Sequence, residues 1–316
     1  MSEFVKKIFL FSLIISLILS CMIYYLYRIG GNDLPAPKFS NSISFNEKID
    51  FIRSKDLSKV EYIAVGSSMT LNNVDSETMV KYFGKNYLNL GSWGFKISDN
   101  YKFIREMADV FPDLKVVLIS TGFMDFSSSV RNIEVDYGLV KNSVNHNIGP
   151  LAYLMSFDLK YLQENSKKNI HNKERRNSYQ NLSYDTHGGA VLDIEPVHID
   201  TLRWNMNIKN FAVSREELES LKELIEFLNS RGIKTCIAVS PQREGLNDKE
   251  TIGMIKSNNA MIRSVIETAG GLLVDPYIYG TWPDSLFVDY AHLNNNGAVK
   301  YTEIITQSLK TDITDQ

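Results

Sequence analysis

The chain has little cysteine and no excess of charge of either sign. Its 316 residues include two cysteines, Cys21 and Cys236, too few for a disulfide-rich scaffold or a four-cysteine zinc site. Its 34 basic and 37 acidic residues give a formal net charge of −3. That balance gives no electrostatic reason to expect nucleic acid as a partner. What the sequence does have, with 44% apolar residues, is enough material for a well-buried core.

The first feature present is one long apolar run near the amino terminus. Ile8 to Tyr27 contains 20 uncharged residues, enough to cross a bilayer about 30 Å thick as a helix. Lys6 and Lys7 precede the run, and Arg28 follows it. The more basic flank stays inside, which predicts a cytoplasmic tail (1–7), a single-pass anchor in the cell membrane (8–28) and an extracytoplasmic remainder.

Two alternatives to an uncleaved anchor stay open. A cleaved signal peptide also has a basic start and an apolar middle, but here no small-x-small cleavage site interrupts the run. The segment Ile18-Leu19-Ser20-Cys21 is similar to a lipoprotein box, with Cys21 as the lipidated residue, although the residues after it remain apolar. Each alternative still places the rest of the chain outside the cytoplasm.

Beyond the anchor, residues 29–50 are predicted to be a linker because they contain Gly, Pro, Ser and Asn with little periodicity. Residues 51–310 are predicted to form one α/β domain, and residues 311–316 a polar tail. The stretch 126–213 does not follow the alternation of strand and helix. We interpret it as an insertion with helices of its own near 151–167.

Within the domain, short β-branched or apolar runs alternate with segments of helical periodicity. Strands are predicted at 60–65, 87–90, 114–120, 234–240 and 272–274, and helices at about 101–111, 218–228, 254–268 and 298–309. Strands joined by helical crossovers run parallel, with helices on both faces. The prediction is therefore a doubly wound, mostly parallel, five-stranded α/β sheet.

The loops after the predicted strands carry the chemistry. In such a sheet, sites form at the carboxyl ends of the strands. Ser68 follows the first strand, and Asp289 and His292 lie in the last loop. A serine with an Asp-x-x-His pair supplies a nucleophile, a base and a group that orients the base.

These residues resemble the SGNH (GDSL-like) hydrolase superfamily. Gly66-Ser67-Ser68 matches its first block, Gly91 within Asn89-Leu90-Gly91 its second, and Asp289 to His292, continuing to Gly297, its last. The resemblance covers about residues 58–310 without the insertion and implies a flavodoxin-like fold. It also implies a catalytic triad of Ser68, His292 and Asp289, with an oxyanion hole made by the N–H groups of Ser68 and Gly91.

Two departures from the family pattern stand out. Ser67 replaces the usual Asp of the first block, as in the membrane-anchored branch that acts on cell-envelope polymers. Met124 occupies the position of the oxyanion Asn in the third block, and methionine cannot donate a hydrogen bond. Gln242, Arg243 and the indole of Trp93 are candidates to replace that donor or to bind substrate.

No metal or cofactor is predicted. The acidic and histidine residues that lie close together between 185 and 200 lack a fixed ligand spacing and are interpreted as polar loop residues: Asp185, His187, Asp193, Glu195, His198 and Asp200.

By resemblance, the implied activity is transfer or removal of an O-acyl group, with acetyl favoured, on an extracytoplasmic cell-surface polysaccharide. The implied partner is a membrane-embedded acyltransferase that supplies the acyl group. One alternative is a plain carbohydrate or lipid esterase. Another is a catalytically inactive glycan-binding or assembly protein with the same fold, which Met124 would favour.

Overall fold

The computed structural model describes residues 2–30, 36–128, 132–156, 158, 160–161, 177–206, 212–246, 248–279 and 281–314. Its first element is helix α1, Ser2–Gly30. The segment Glu3–Tyr25 has a mean hydropathy of 2.4, and no residue in its most apolar stretch is buried against the rest of the chain. By length and composition this helix is suited to cross a membrane or to serve as a signal sequence.

The domain is built on five parallel strands: β1 (Tyr62–Gly66), β2 (Tyr87–Asn89), β3 (Val116–Thr121), β4 (Lys234–Val239) and β5 (Leu272–Val274). Their spatial order is β2-β1-β3-β4-β5, and every neighbouring pair is parallel. All five predicted strands and the α/β fold class are therefore confirmed. After β2 the chain returns to the other side of β1, so the switch point of the sheet lies between β1 and β3.

Helices cover both faces of the sheet because the strand side chains alternate. On β3, Val117 and Ile119 pack into one core cluster, whereas Val116 and Leu118 pack into the other. The first face is covered by α2 (Ile43–Arg53), α5 (Ile97–Met107), α9 (Arg215–Ser230) and α10 (Lys249–Ala269). The second is covered by α4 (Ser76–Phe83) and α11 (Asn295–Thr314). Helix α3 (Ser68–Asn73) follows β1 directly.

Helix α2 shows that the predicted linker 29–50 is too long. Phe39 is already buried, and Phe45, Ile49 and Ile52 of α2 belong to the main core. The ring of Phe45 stacks on Phe95 with centroids 5.3 Å apart. The spacing of these apolar residues is helical, and the Ser and Asn residues around them, which suggested a linker, cap and brace the helix instead.

A buried ammonium group joins α2 to the edge of the sheet. The Lys48 side chain is 1% exposed. Its Nζ donates to the carbonyl oxygens of Asn89 (3.0 Å) and Gly188, and it lies 3.9 Å from the centre of the Tyr184 ring. Burial lowers the pKa of Lys48 to about 7, with a partial offset from the charge of Asp185. The insertion is thereby tied to the end of β2.

The predicted insertion and tail also differ in detail from the structure. The described part of 126–213 contains α6 (Tyr137–Val144), α7 (Pro150–Met155) and α8 (Thr201–Trp204). Helix α7 falls in the predicted helical region, while residues 162–167 lie outside the described part. At the other end, α11 continues to Thr314, so most of the predicted polar tail 311–316 is helical.

The turn from β1 into α3 depends on a glycine. Gly66 has φ +149°, and a Cβ built on it would lie 2.2 Å from Thr70 Oγ1 and 2.9 Å from the Ser120 carbonyl oxygen. The Thr70 hydroxyl cannot move away freely, because it donates to backbone oxygens of both β1 and β3. Gly84 also has positive φ, +83°, but nothing lies within 4 Å of a Cβ there.

We therefore expect Gly66→Ala to lower the free energy of unfolding by about 3 kcal/mol or more, since backbone strain and a steric clash add. Gly84→Ala, the control, should cost less, about 1 to 2 kcal/mol, because its backbone conformation (φ +83°, ψ −175°) is strained but no atom lies near the added Cβ. Urea titration of the detergent-solubilised full-length chain, followed by tryptophan fluorescence, measures both. Equal losses in the two variants would show that the close approach at Gly66 is unimportant.

Candidate active site

A cavity of about 310 Å³ lies at the switch point of the sheet. It is formed by the loops that follow β1, β3 and β4, by the loop before α11, and by part of the insertion. Its lining comprises residues 67–69, 122–125 and 290–292 together with Gly94, Arg203, Met206, Ser240 and Gln242. Each of the segments that follow the five strands thus contributes at least one lining residue, with Gly94 coming from the segment after β2.

Ser68 is placed in this cavity by the abrupt change from strand to helix. It is the first residue of α3, and Ser67 is the N-cap, whose Oγ accepts a hydrogen bond from the N–H of Met69 at 3.1 Å. Ser67 therefore supports the turn from β1 into α3. Because the helix starts at once, the Ser68 side chain stays half-buried at the cavity wall.

Ser68, His292 and Asp289 form one hydrogen-bonded chain. Ser68 Oγ lies 2.8 Å from His292 Nε2, although 224 positions separate the two residues. His292 Nδ1 lies 2.7 Å from Asp289 Oδ2. With the proton on Nδ1 held by the carboxylate, Nε2 is free to accept the serine proton. The structure thus brings together the three residues that the sequence singled out.

Asp289 is held as an anion despite complete burial. Burial alone would raise the pKa of its carboxyl group, but the positive charge and ring N–H of His292 and two backbone N–H groups together bring the pKa below its ordinary value. Those backbone donors are Ala291 at 3.0 Å and His292 at 2.7 Å, both to Oδ1. A fixed carboxylate behind the imidazole stabilises an imidazolium when it forms.

A second buried carboxyl group, Asp125, has the opposite shift. Burial raises the pKa of Asp125 to about 6, and donors from Gly122, Ser67 and Thr121 and the charge of His292 offset burial only in part. All three donors converge on Oδ2, with Ser67 Oγ at 2.8 Å. Asp125 therefore links the turn after β1 to the loop after β3, a role that the sequence did not reveal.

Asn73, at the end of α3, fixes the histidine loop to the serine helix. Its Nδ2 donates to the Ala291 carbonyl at 3.0 Å and to Ser240 Oγ at 2.6 Å, and its Oδ1 accepts from the N–H of Leu293 at 2.9 Å. The side chain is fully buried. It therefore holds the backbone on both sides of His292. Sequence reasoning missed it because one helical asparagine gives no local signal.

The structure places Gly91, a predicted oxyanion donor, away from the cavity. Its N–H donates to Asn89 Oδ1 at 2.9 Å, and a Cβ on it would meet the Leu71 N at 2.5 Å, so it is a packing position outside the cavity. Gly94, three residues later, has φ +75° and lines the cavity. No residue in the described part of the chain accepts a hydrogen bond from the Gly94 N–H.

Of the three candidates to replace the missing asparagine, only Gln242 lines the cavity. Its side chain is 4% exposed, and its Oε1 has no hydrogen-bond partner among the described residues. Met124 also lines the cavity, and the Tyr290 hydroxyl donates to its sulfur at 2.6 Å. Gln242 and Tyr290 thus bring an amide and a hydroxyl group to the same wall.

Arg243 and Trp93 do not line this cavity. Arg243 donates to Asp284 at 2.7 Å and to the Trp204 carbonyl at 2.9 and 3.0 Å, and its guanidinium lies 4.3 Å from the centre of the Trp204 ring. It anchors α8 to the loop after β4. The half-buried Trp93 is positioned by its backbone N–H, which donates to Ser44 Oγ at 3.1 Å.

The polar residues between 185 and 200 are engaged locally. Asp185 accepts from the N–H groups of His187 and Gly189, and Asp200 caps α8. His198 and Glu195 form an exposed pair 3.7 Å apart. Within the described ranges, no group of three or more histidine, cysteine or acidic residues is arranged to hold a metal ion.

Comparison with known proteins gives structural likeness only. No family model matches the sequence, and no curated protein matches it. A lipase/acylhydrolase from Enterococcus faecalis is 13% identical, covering 80% of this chain and 97% of its own, with a TM-score of 0.41.

Two further solved structures give similar values. A GDSL-like lipase from Bacteroides thetaiotaomicron is 13% identical, covering 92% of this chain and 97% of its own, with a TM-score of 0.37. A catalytic mutant of an acetylxylan esterase from Geobacillus stearothermophilus is 11% identical, covering 80% and 94%, with a TM-score of 0.41. Likeness at this level assigns no activity to the chain.

The raised pKa of Asp125 predicts a pH-dependent stability contribution. The folded protein holds the Asp125 proton more tightly than the unfolded chain does, so stability from this group is present below the ordinary aspartate pKa and is lost as pH rises through about 6. Relative to Asp125→Asn, the wild-type free energy of unfolding should therefore fall by about 2 kcal/mol between pH 4 and pH 7. Urea titrations of both proteins at several pH values measure the difference, and a difference constant with pH contradicts the assignment.

Proposed function

We propose that the chain is a serine esterase or acyltransferase of the SGNH type, which removes or transfers an O-acyl group on an extracytoplasmic glycan. The observation that supports this most directly is the continuous hydrogen-bonded chain from Ser68 Oγ through His292 to Asp289 Oδ2, at 2.8 and 2.7 Å, at the wall of an open cavity. Two of the three sequence blocks that resemble the superfamily, the first and the last, contain the same three residues.

In the proposed mechanism, Ser68 Oγ attacks the ester carbonyl while His292 Nε2 takes its proton. Asp289 keeps the imidazole in the required tautomer and stabilises the imidazolium. His292 then returns the proton to the departing alcohol as the tetrahedral intermediate collapses to an acyl-serine. A water molecule or a sugar hydroxyl, deprotonated by His292, finally takes the acyl group.

The developing oxyanion needs donors in place of Gly91. The N–H of Ser68, in the first turn of α3, and the N–H of Gly94 are the proposed backbone donors. The Gln242 amide would take the part of the asparagine that Met124 replaces, and the Tyr290 hydroxyl would do so only by turning its proton away from the Met124 sulfur. Each belongs to the cavity wall, and one such donor is worth on the order of 10² to 10³ in turnover.

The proposed location is the outer face of the cell membrane, with α1 as an uncleaved anchor. The basic residues before the apolar run support this orientation. Tethering raises the effective concentration of the domain near a donor held in the membrane. This fits the further proposal that a membrane-embedded acyltransferase supplies the acyl group, in which case the glycan, rather than water, is the final acceptor.

The direct test is ester hydrolysis by the full-length protein in detergent, with a chromogenic acetate. We expect Ser68→Ala and His292→Ala each to lose at least about 10³-fold in kcat, and Asp289→Asn about 10² to 10⁴-fold. Ser67→Ala is the matched comparison. It should keep serine-dependent turnover while losing about 1 kcal/mol of stability as an N-cap.

The outcomes separate the alternatives. Loss of turnover in Ser67→Ala with retention in Ser68→Ala would mean that the wrong serine was chosen. Folded wild-type protein without Ser68-dependent turnover, but with retained glycan binding, would favour the inactive binding protein. With an oligosaccharide acceptor present, acyl transfer in excess of hydrolysis identifies a transferase, and hydrolysis alone identifies a plain esterase.

Asn73 is expected to act as a positioning residue for this reaction. Asn73→Leu should lower kcat for the chromogenic ester about 10- to 100-fold with little change in KM, because the His292 loop loses its hold on α3. Asn72→Leu is the control, since Asn72 is an equally buried neighbour whose Oδ1 has no partner among the described residues. If kcat falls equally in both variants, or if the loss of kcat simply follows the loss of thermal stability, Asn73 has only a general packing role.

A further inference from the structure

Arg203 is held at the wall of the cavity by an aromatic platform. It lies in α8, and its guanidinium carbon is 4.4 Å from the centre of the Tyr179 ring. The Tyr179 hydroxyl donates to the Val288 carbonyl at 2.5 Å, one residue before Asp289. The platform is therefore attached to the loop that carries the proposed base, His292, and the carboxylate that orients it, and the arginine is pre-organised beside them.

The hydrogen-bond donors of Arg203 remain available. Its side chain is 43% exposed, and the nearest carboxylate oxygen, Asp289 Oδ2, is 3.8 Å from Nη1. That oxygen already lies 2.7 Å from His292 Nδ1. No residue in the described part of the chain accepts a hydrogen bond from the Arg203 guanidinium. Arg243 provides the contrast, because its side chain is 5% exposed and bonded to Asp284 and Trp204.

Arg203 also sets the charge of the cavity. It is the one described lining residue with a permanent positive charge. The other titratable groups that line the wall are His292, Tyr290 and Asp125, and the Asp125 oxygen Oδ2 is already covered by three donors. A planar guanidinium with free, fixed donors matches the geometry of a carboxylate or a phosphate.

We propose that Arg203 binds an oxyanion, a carboxylate or a phosphate, on the acyl-bearing compound, so that the substrate is an anionic rather than a neutral glycan. This inference rests on the proposed acyl chemistry at Ser68. The guanidinium would contact the anion while the ester carbonyl reaches Ser68. Arg203 is then a specificity-determining residue that acts on binding more than on the chemical step.

The test uses three mono-O-acetylated sugars that differ only at C6: glucose, glucuronate and glucose 6-phosphate. For the full-length protein in detergent, kcat/KM should be about 10- to 100-fold higher for at least one anionic ester than for the glucose ester. Arg203→Gln should remove that preference by raising KM for the anionic esters, so that kcat/KM for each anionic ester falls to about the value for the glucose ester. Comparing acetylated glucuronate with acetylated glucose 6-phosphate shows whether the site prefers a carboxylate or a phosphate.

Arg231→Gln is the matched control. Arg231 has a similar exposure, 40%, and also lies over an aromatic ring, Phe227, but it pairs with Asp109 at the end of α9 away from the cavity. The Arg231→Gln variant should have the same kcat/KM as the wild type for all three esters. If Arg203→Gln instead lowers kcat equally for all three and shifts the pH profile, Arg203 acts through Asp289 and the proposal is wrong.

A binding measurement separates this inference from the proposed function. Unacetylated glucose, glucuronate and glucose 6-phosphate are titrated by calorimetry into Ser68→Ala, with and without Arg203→Gln. Arg203-dependent binding of an anion, weakened by salt, supports the site even where turnover is absent. Equal binding of the three sugars overturns it, even where Ser68-dependent hydrolysis is found.

Discussion

The structure depends most on one contact, the 2.8 Å hydrogen bond between Ser68 Oγ and His292 Nε2. The two side chains belong to loops at opposite ends of the domain sequence, and neither is held by its own loop alone. Gly66 allows the sharp turn that presents the serine, and Asn73 ties the same short helix to the backbone beside the histidine. The alignment is thus set by buried hydrogen bonds, which cost stability when broken and so favour one geometry.

Two buried carboxyl groups near this contact illustrate how the donor set controls ionisation. Asp289 has donors on both oxygens and an imidazole beside it, and its pKa is lowered despite burial. Asp125 has its donors on a single oxygen, and burial dominates, so that its pKa rises to about 6. The first is suited to stay charged behind a base, and the second is suited to brace two loops.

The insertion adds side chains to the cavity wall, among them the arginine proposed to select the substrate. Its α8 segment is fixed by Arg243 and brings Arg203 and Met206 to the cavity wall. Segments that follow the strands of the sheet carry the proposed nucleophile and base, whereas this added segment carries the proposed anion-binding cation. Loops on a rigid sheet can change what is bound without disturbing the reacting groups. In this chain the proposed chemical step and the proposed anion binding are assigned to different segments.

The sequence alone determined the five strands, the apolar amino-terminal helix and the identity of Ser68, Asp289 and His292, because these depend on local periodicity and short spacings. Tertiary structure alone decided that Gly94, and not Gly91, reaches the cavity, since both glycines follow the same strand and only packing against Leu71 removes the first. It also decided the roles of Asn73 and Arg203. Their hydrogen bonds and ring contacts join segments far apart in the chain, and no local pattern encodes which distant backbone or aromatic ring a side chain will meet.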